Sequence, residues 1–313
     1  MVDWQEKDSD DRYRVRMDFK IEELHAEEGG RTIQFRIVPD PRRYVRQEAG
    51  GKVVYRDRYL NHAIDEREMM PSCGAQTAGM PLHYLTTSIR SAPDYATARK
   101  RALMAELRDG GYRPPDEEAA KHRLLNADTK WLVFLSVDIC GATALRRGNP
   151  TGFENAYAIF LRELGTVVGQ FGGTILKTTG DGFIAYLDHP AFAQQCDRAI
   201  DMGLTLQRVL RDSINPALID AGLPEIQVRV GGDCGTAQIR SLCVPLTGFT
   251  TREVASNALN LAVKIEESAG SGEFLIGRNL YELIHVQWLE RAEEVTFDGE
   301  SVGIPGYKTY RIS

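Results

Sequence analysis

The chain has 313 residues, 42% of them hydrophobic and 26% charged, with a formal net charge of -6. That length fits two domains, or one with a substantial extension, and the composition is that of a globular protein with a core to bury. The acidic balance argues against a protein whose main task is coating nucleic acid, and no window reaches the roughly 18–20 apolar residues of a membrane span.

The opening stretch MVDWQEKDSDDRYR has no apolar signal core, so the expectation is a cytoplasmic chain. RYRVRMDFKIEEL, RTIQFRIV and KVVYRDRYL alternate apolar and charged residues at strand period, separated by turn material such as PDP and AGG. EMMPSCGAQTAGMP reads as a loop. PDYATARKRALMAELRDGG reads as a helix, with Pro93 near its start and glycines at 110 and 111 beyond its end. Residues 1–125 are thus expected to form a β-rich module, a sensor or a dimerisation arm.

From Lys130 the texture changes to strands interleaved with long helices. WLVFLSVD is a buried strand. FENAYAIFLRELGTVVGQFGG carries Phe153, Tyr157, Phe160, Leu164, Val168 and Phe171 at helical spacing, and TILKTTGDGFIAYLD is two strands about a tight Gly-Asp-Gly turn. A helix over about 190–211, a hairpin in QVRVGGDCGTAQI, a helix in EVASNALNLAVKIEESAG, a strand in EFLIG and a closing strand in GYKTYRI follow. In order this is β-α-β-β-α-β with additions over 126–313, a mixed ferredoxin-like sheet with helices on one face.

Two acids stand out. Asp138 ends the first strand, and Asp181 sits in the hairpin turn 43 positions later (181 − 138). If the intervening helix crosses back over the sheet, both carboxylates face one point, where they repel unless cations join them. A Mg²⁺ pair held by carboxylates and substrate phosphates meets that need. The segment ICGATALRRGNPTG supplies small residues, Gly141 and Ala142 followed by Thr143, that let backbone N–H groups approach phosphate oxygens ahead of a helix N-terminus, and Ile139 could offer its carbonyl to a metal. Cys73, Cys140, Cys196, Cys234 and Cys243 form no CxxC pair, and the six histidines (His25, His62, His83, His122, His189, His285) show no ligand spacing.

FLSVDICGAT, LKTTGDGFIA and SNALNLAVKIEESAG, in that order between 130 and 313, resemble the catalytic domain of class III nucleotidyl cyclases, the adenylyl and guanylyl cyclase fold. The resemblance implies an α+β, ferredoxin-like class III cyclase fold behind the N-terminal module. It also implies a head-to-tail homodimer with each active site shared between two chains. Asp138, Asp181 and the Ile139 carbonyl would bind two Mg²⁺ or Mn²⁺ ions. Asn260 would orient the ribose, and Lys264, i+4 from it on the same helix face, would stand where the family has a transition-state arginine. Lysine is a mobile point charge rather than a planar fork, so this is a departure. A second departure is GESVGIPGYKTY, which lacks the family's phosphate-gripping lysine before its glycine. Arg146, Arg147 or the cluster Lys121, His122 and Arg123 are candidates to replace it.

Two positions read the base in this family, and they fall on Lys177 and Glu253. The pair resembles an adenine-selecting one, yet cytosine and uracil also offer matching groups. A stand-alone chain with degenerate purine landmarks looks like the anti-phage pyrimidine cyclases of Pycsar systems. The resulting expectation is a lyase that converts UTP to 3′,5′-cyclic UMP and diphosphate as an antiviral second messenger for a downstream effector. The alternatives are an adenylate cyclase and a non-catalytic, nucleotide-binding pseudo-cyclase.

Overall fold

The computed structural model describes residues 14–26, 33–69, 87–122, 125 and 128–313. The described residues group into two compact units, one within 14–84 and 282–290, the other within 85–281 and 291–313.

In the first unit, β1 (Phe19–Ala26) pairs antiparallel with β2 (Ile33–Pro39). Strands β3 (Tyr44–Ala49), β4 (Lys52–Asp57) and β5 (Ala63–Asp65) form a second antiparallel sheet, followed by the single-turn helix α1 (Glu66–Met69). The sequence reading contains no strand at β3. Arg46, Gln47 and Glu48 are all exposed there, so no alternation marks it.

This unit is organised around buried charge. Arg43, at 0% exposure, donates from Nη1 to Asp18 Oδ2 (2.8 Å) and from Nε to Asp57 Oδ2 (2.7 Å), while Arg16 Nε reaches Asp18 Oδ1 (2.9 Å). Burial pushes the neighbouring Tyr44 hydroxyl up to about 12. The segment 282–290 completes the network: Val286 N–H donates to Asp18 Oδ2 (3.1 Å), and the Leu283 carbonyl accepts from Arg16 (3.3 Å). Buried charges require such partners, so the β-rich module draws part of its interior from residues more than 200 positions downstream.

In chain order the second unit runs α2 (Ala92–Asp109), β6 (Thr129–Ile139), α3 (Ala142–Gly148), α4 (Pro150–Gln170), β7 (Gly173–Thr178), β8 (Gly182–Leu187), α5 (Phe192–Val209), a π turn (Leu210–Ile214), α6 (Asn215–Asp220), β9 (Val228–Val244), β10 (Phe249–Ala255), α7 (Asn257–Ser268), β11 (Phe274–Gly277), α8 (Arg278–Tyr281), β12 (Ala292–Val295) and β13 (Thr309–Ile312). The sheet order is β12-β13-β11-β9-β6-β8-β7, with β10 paired to the far end of β9. Among the described residues of this sheet only β11 and β9 pair in parallel; the other pairs are antiparallel. Helix α2 starts at the Ser91 cap, with Pro93 in its first turn, and ends at Gly110, as the sequence indicates. It is fastened to α4 by a buried two-pronged pair, Arg99 to Glu163 at 2.8 and 2.9 Å, and therefore belongs to this unit.

Three expectations need correction. Helices cover both faces of the sheet, not one: Ala258, Leu259 and Ala262 of α7 pack with Leu132, Phe134, Ile184 and Tyr186, whereas Phe160 of α4 meets Phe183 on the other side at 6.0 Å between ring centroids. Residues Leu132 to Val137 are buried without a break, as a strand covered on both faces must be. QVRVGGDCGTAQI is one continuous strand rather than a hairpin. Its Gly231 lets α7 approach, because a Cβ there would lie 2.2 Å from the Glu266 nitrogen and 2.3 Å from the Ala262 carbonyl. ICGATALRRGNPTG, expected to lie ahead of the first helix, itself holds α3 and the first turn of α4, and the Asn149 side chain caps α4 by accepting from Gly152 N–H (2.9 Å).

On α5, burial and the Asp197 charge push Asp201 up to about 7 from an ordinary 3.8. A carboxyl raised in the folded state contributes stability below its unfolded pKa and loses it as pH rises through the folded value. Asp201→Asn is therefore expected to change the melting temperature little at pH 4 and to raise it relative to the parent at pH 8. A gap that stays constant across pH 4–8 would contradict this.

Candidate active site

Strand β6 is the central element of the site. Its register with β8 sets Asp138 opposite Gly182, which brings Asp181 in the preceding turn beside Asp138. The approach is so close that a Cβ on Gly182 would sit 2.0 Å from the Val137 carbonyl oxygen, and the turn relies on Gly180 at φ +99°, a backbone state that glycine favours. Burial pushes the Asp138 carboxyl above the usual range and the charge of Asp181 adds to the rise, while a hydrogen bond from Arg229 opposes it. The Asp181 contribution is the repulsion expected between adjacent acids, secondary here to burial.

Arg229 and Glu266 were not anticipated. The β6–β9 register places Arg229 directly across from Asp138, and its Nη2 donates to Asp138 Oδ2 at 2.9 Å. Arg229 Nε lies 2.6 Å from Glu266 Oε1, and Nη1 donates to the Glu267 carbonyl (3.0 Å). Glu266 also accepts from the Ser136 hydroxyl (3.2 Å), and burial together with the Asp138 charge pushes it up to about 7. The sequence shows Arg229 only as one polar residue between Val228 and Val230. Strand register, which it does not display, gives the residue its importance.

Gly141, Ala142 and Thr143 enter α3 immediately after the strand that carries Asp138 and Ile139, with Gly141 at φ +69°. Arg146 of α3 donates from Nη2 to the Gly180 carbonyl in the Asp181 turn (3.4 Å), pairs with Glu154 (3.0 Å) and lies over the Phe153 ring (4.6 Å). Among the proposed phosphate grips, Arg146 is thus tied to the acid turn. Arg147, Lys121 and His122 are exposed, and Arg123 lies outside the described residues, as do Cys73 and His83.

A separate cavity of about 1000 Å³ is lined by Lys177, Glu253 and Asn260, together with Gln238 and Arg240. Asp138 and Asp181 do not line it, and neither does Lys264, whose Nζ pairs with Glu267 Oε2 at 2.7 Å. The structure therefore brings the two acids together and, elsewhere in the same chain, gathers Lys177, Glu253 and Asn260, without joining the two groups in one cavity. Among the described residues no three His, Cys, Asp or Glu side chains form a self-sufficient metal site, and no helix is long and apolar enough to cross a membrane.

No protein-family model matches the chain, and no curated protein does. Solved structures do resemble it. They include the guanylyl cyclase Cya2 (TM-score 0.51, 21% identity, 60% of this chain and 94% of that one) and the adenylyl cyclase CyaB from P. aeruginosa (0.52, 18%, 60% and 96%). The guanylate cyclase domain of RhGC from Catenaria anguillulae, solved with GTP, is a third (0.50, 16%, 60% and 98%). The fold is the class III cyclase fold. Within it, Asp138 and Asp181 occupy the end of the central strand and the adjoining hairpin turn, and the second cavity lies along the β9–β10 ribbon and α7.

Because Gly182 permits the β6–β8 contact, Gly182→Ala should lower the unfolding free energy by about 1–3 kcal/mol, the usual cost of forcing a methyl into a packed position. Urea denaturation measures it. An unchanged midpoint would show that the strands do not need this approach.

Proposed function

We propose that the protein is a nucleotidyl cyclase acting on a nucleoside triphosphate, with UTP as substrate and 3′,5′-cyclic UMP and diphosphate as products. One observation carries the cyclase reading: on this fold, two carboxylates stand side by side at a strand end, and a cavity of about 1000 Å³ lined by Lys177, Glu253 and Asn260 lies apart from them. In a head-to-tail homodimer, the acids of one protomer would face the cavity of its partner, giving two composite sites.

The donor set suits Mg²⁺ or Mn²⁺. Asp138, Asp181 and the Ile139 carbonyl are hard oxygen ligands, too few to hold an ion alone but sufficient together with triphosphate oxygens. Ions held there would lower the pKa of the ribose 3′-hydroxyl and neutralise the departing diphosphate.

The remaining work falls to the chain. Asn260 orients the ribose so that its 3′-oxygen lies in line with the α-phosphorus. The new 3′-oxygen–phosphorus bond forms as the bond to the β-phosphate oxygen breaks, and the hydroxyl proton passes to solvent. Lys264 leaves Glu267 to meet the negative charge that develops on the α-phosphate. Arg229, held by Glu266 beside Asp138, and Arg146, held beside Gly180, supply positive charge for the outer phosphates in place of the missing loop lysine. Lys177 and Glu253 read the base. A cytoplasmic cyclase of this kind, signalling through a cyclic-nucleotide effector in anti-phage defence, fits the resemblance to pyrimidine cyclases.

Incubation with Mn²⁺ and each of ATP, GTP, CTP and UTP, with products identified by mass spectrometry, tests this reading. Cyclic UMP is expected, and Asp138→Ala or Asp181→Ala should abolish it. Cyclic AMP would return Lys177 and Glu253 to adenine recognition. No cyclic product from a folded, dimeric sample would point to a nucleotide-binding pseudo-cyclase.

A further inference from the structure

The ribbon that floors the second cavity contains a third group able to read a base. Along β9 the side chains alternate. Ala237 and Ile239 are buried in the core, at 0% and 8% exposure, while Gln238 and Arg240 line the cavity. The β9–β10 register sets Arg240 directly opposite Glu253, and Arg240 Nη2 lies 3.4 Å from Glu253 Oε2. Glu253 is therefore not a lone acceptor. It is half of a cross-strand ion pair whose two members face the same cavity, and a guanidinium with five N–H donors keeps others free for a ligand.

We propose that Arg240 is a specificity-determining residue that makes this wall select a uracil edge. This rests on the nucleotide-binding reading above. With Lys177 and Arg240 as donors and Glu253, the cross-strand partner of Arg240, as acceptor, the wall offers two donors and one acceptor. The pairing edge of uracil is its complement: a carbonyl acceptor, the N3–H donor, a carbonyl acceptor. Cytosine places an unprotonated ring nitrogen against the carboxylate, acceptor against acceptor, and adenine fits only by turning its N6 amino group, flanked by N1 and N7, toward Glu253. Guanine satisfies Lys177 and Glu253 with O6 and N1–H but turns its 2-amino donor toward Arg240. Arg240 is thus the member of the trio that separates uracil from guanine, by leaving a polar group of the wrong base unpaired. The 3.4 Å contact also ties Arg240 to the Glu253 carboxylate within the cavity wall.

Equilibrium binding of UMP and GMP needs no turnover and so tests Arg240 independently of cyclase activity. The parent is expected to favour UMP. Arg240→Ala should weaken UMP binding roughly tenfold, the scale of one charge-assisted hydrogen bond, and shrink the UMP-over-GMP preference, while Arg240→Lys should recover part of both. Unchanged UMP affinity and preference in Arg240→Ala, with an unchanged melting temperature, would overturn the proposal even if the parent makes cyclic UMP. Conversely, the expected binding shifts in a protein that makes no cyclic nucleotide would uphold Arg240 and remove the cyclase reading alone.

Discussion

The pairing of β6 with β8 on one side and β9 on the other is the constraint on which the candidate site depends. One strand position, Asp138, faces Gly182 across one ladder and Arg229 across the other. The first pairing forces two carboxylates together. The second supplies a guanidinium that holds one of them without neutralising both. Because side chains alternate along a strand, a slip of one residue would turn Asp138 to the opposite face and dismantle the arrangement. Unbroken burial along β6 and the close contact at Gly182 protect that register, so the same packing that stabilises the sheet positions the charges.

The second consequence is a division of labour within one chain. The acids sit at the β6–β8 end, while Lys177 of β7, Glu253 of β10 and Asn260 of α7, proposed to meet base and ribose, line a separate cavity. On the proposed reading neither group suffices alone, so each site would need two protomers. In the isolated chain Lys264 is engaged with Glu267, and Arg229 with Asp138 and Glu266. In the proposed reaction these ion pairs would hold the cationic groups until phosphate competes for them. The exposed Lys264 pair is worth little in water, so exchanging it for a phosphate is energetically easy.

Much of this was legible in the sequence because it is local. Pro93, Gly110 and the helical apolar spacing bracket α2, Asp and Gly mark the β7–β8 turn, and i,i+4 spacing puts Asn260 and Lys264 on one face of α7. What escaped the sequence depends on register and long-range packing. Gly231 and Gly232 look like turn residues, yet Gly231 lies in the middle of a strand where a helix approaches closely. Arg229 and Arg240 look like ordinary strand arginines until their cross-strand partners prove to be Asp138 and Glu253. The segment 282–290 gives no sign in its composition that it completes the charged interior built around Asp18 and Arg43.

Mixing two defective chains tests the division most directly. Asp138→Ala removes the acid half and Asn260→Ala the ribose half. If each site draws one half from each protomer, random pairing makes half of the dimers mixed and leaves one intact site of two in each, so about a quarter of parental cyclase activity should return. Activity no higher than the average of the two variants measured separately would contradict the account and put both halves of the site within one chain.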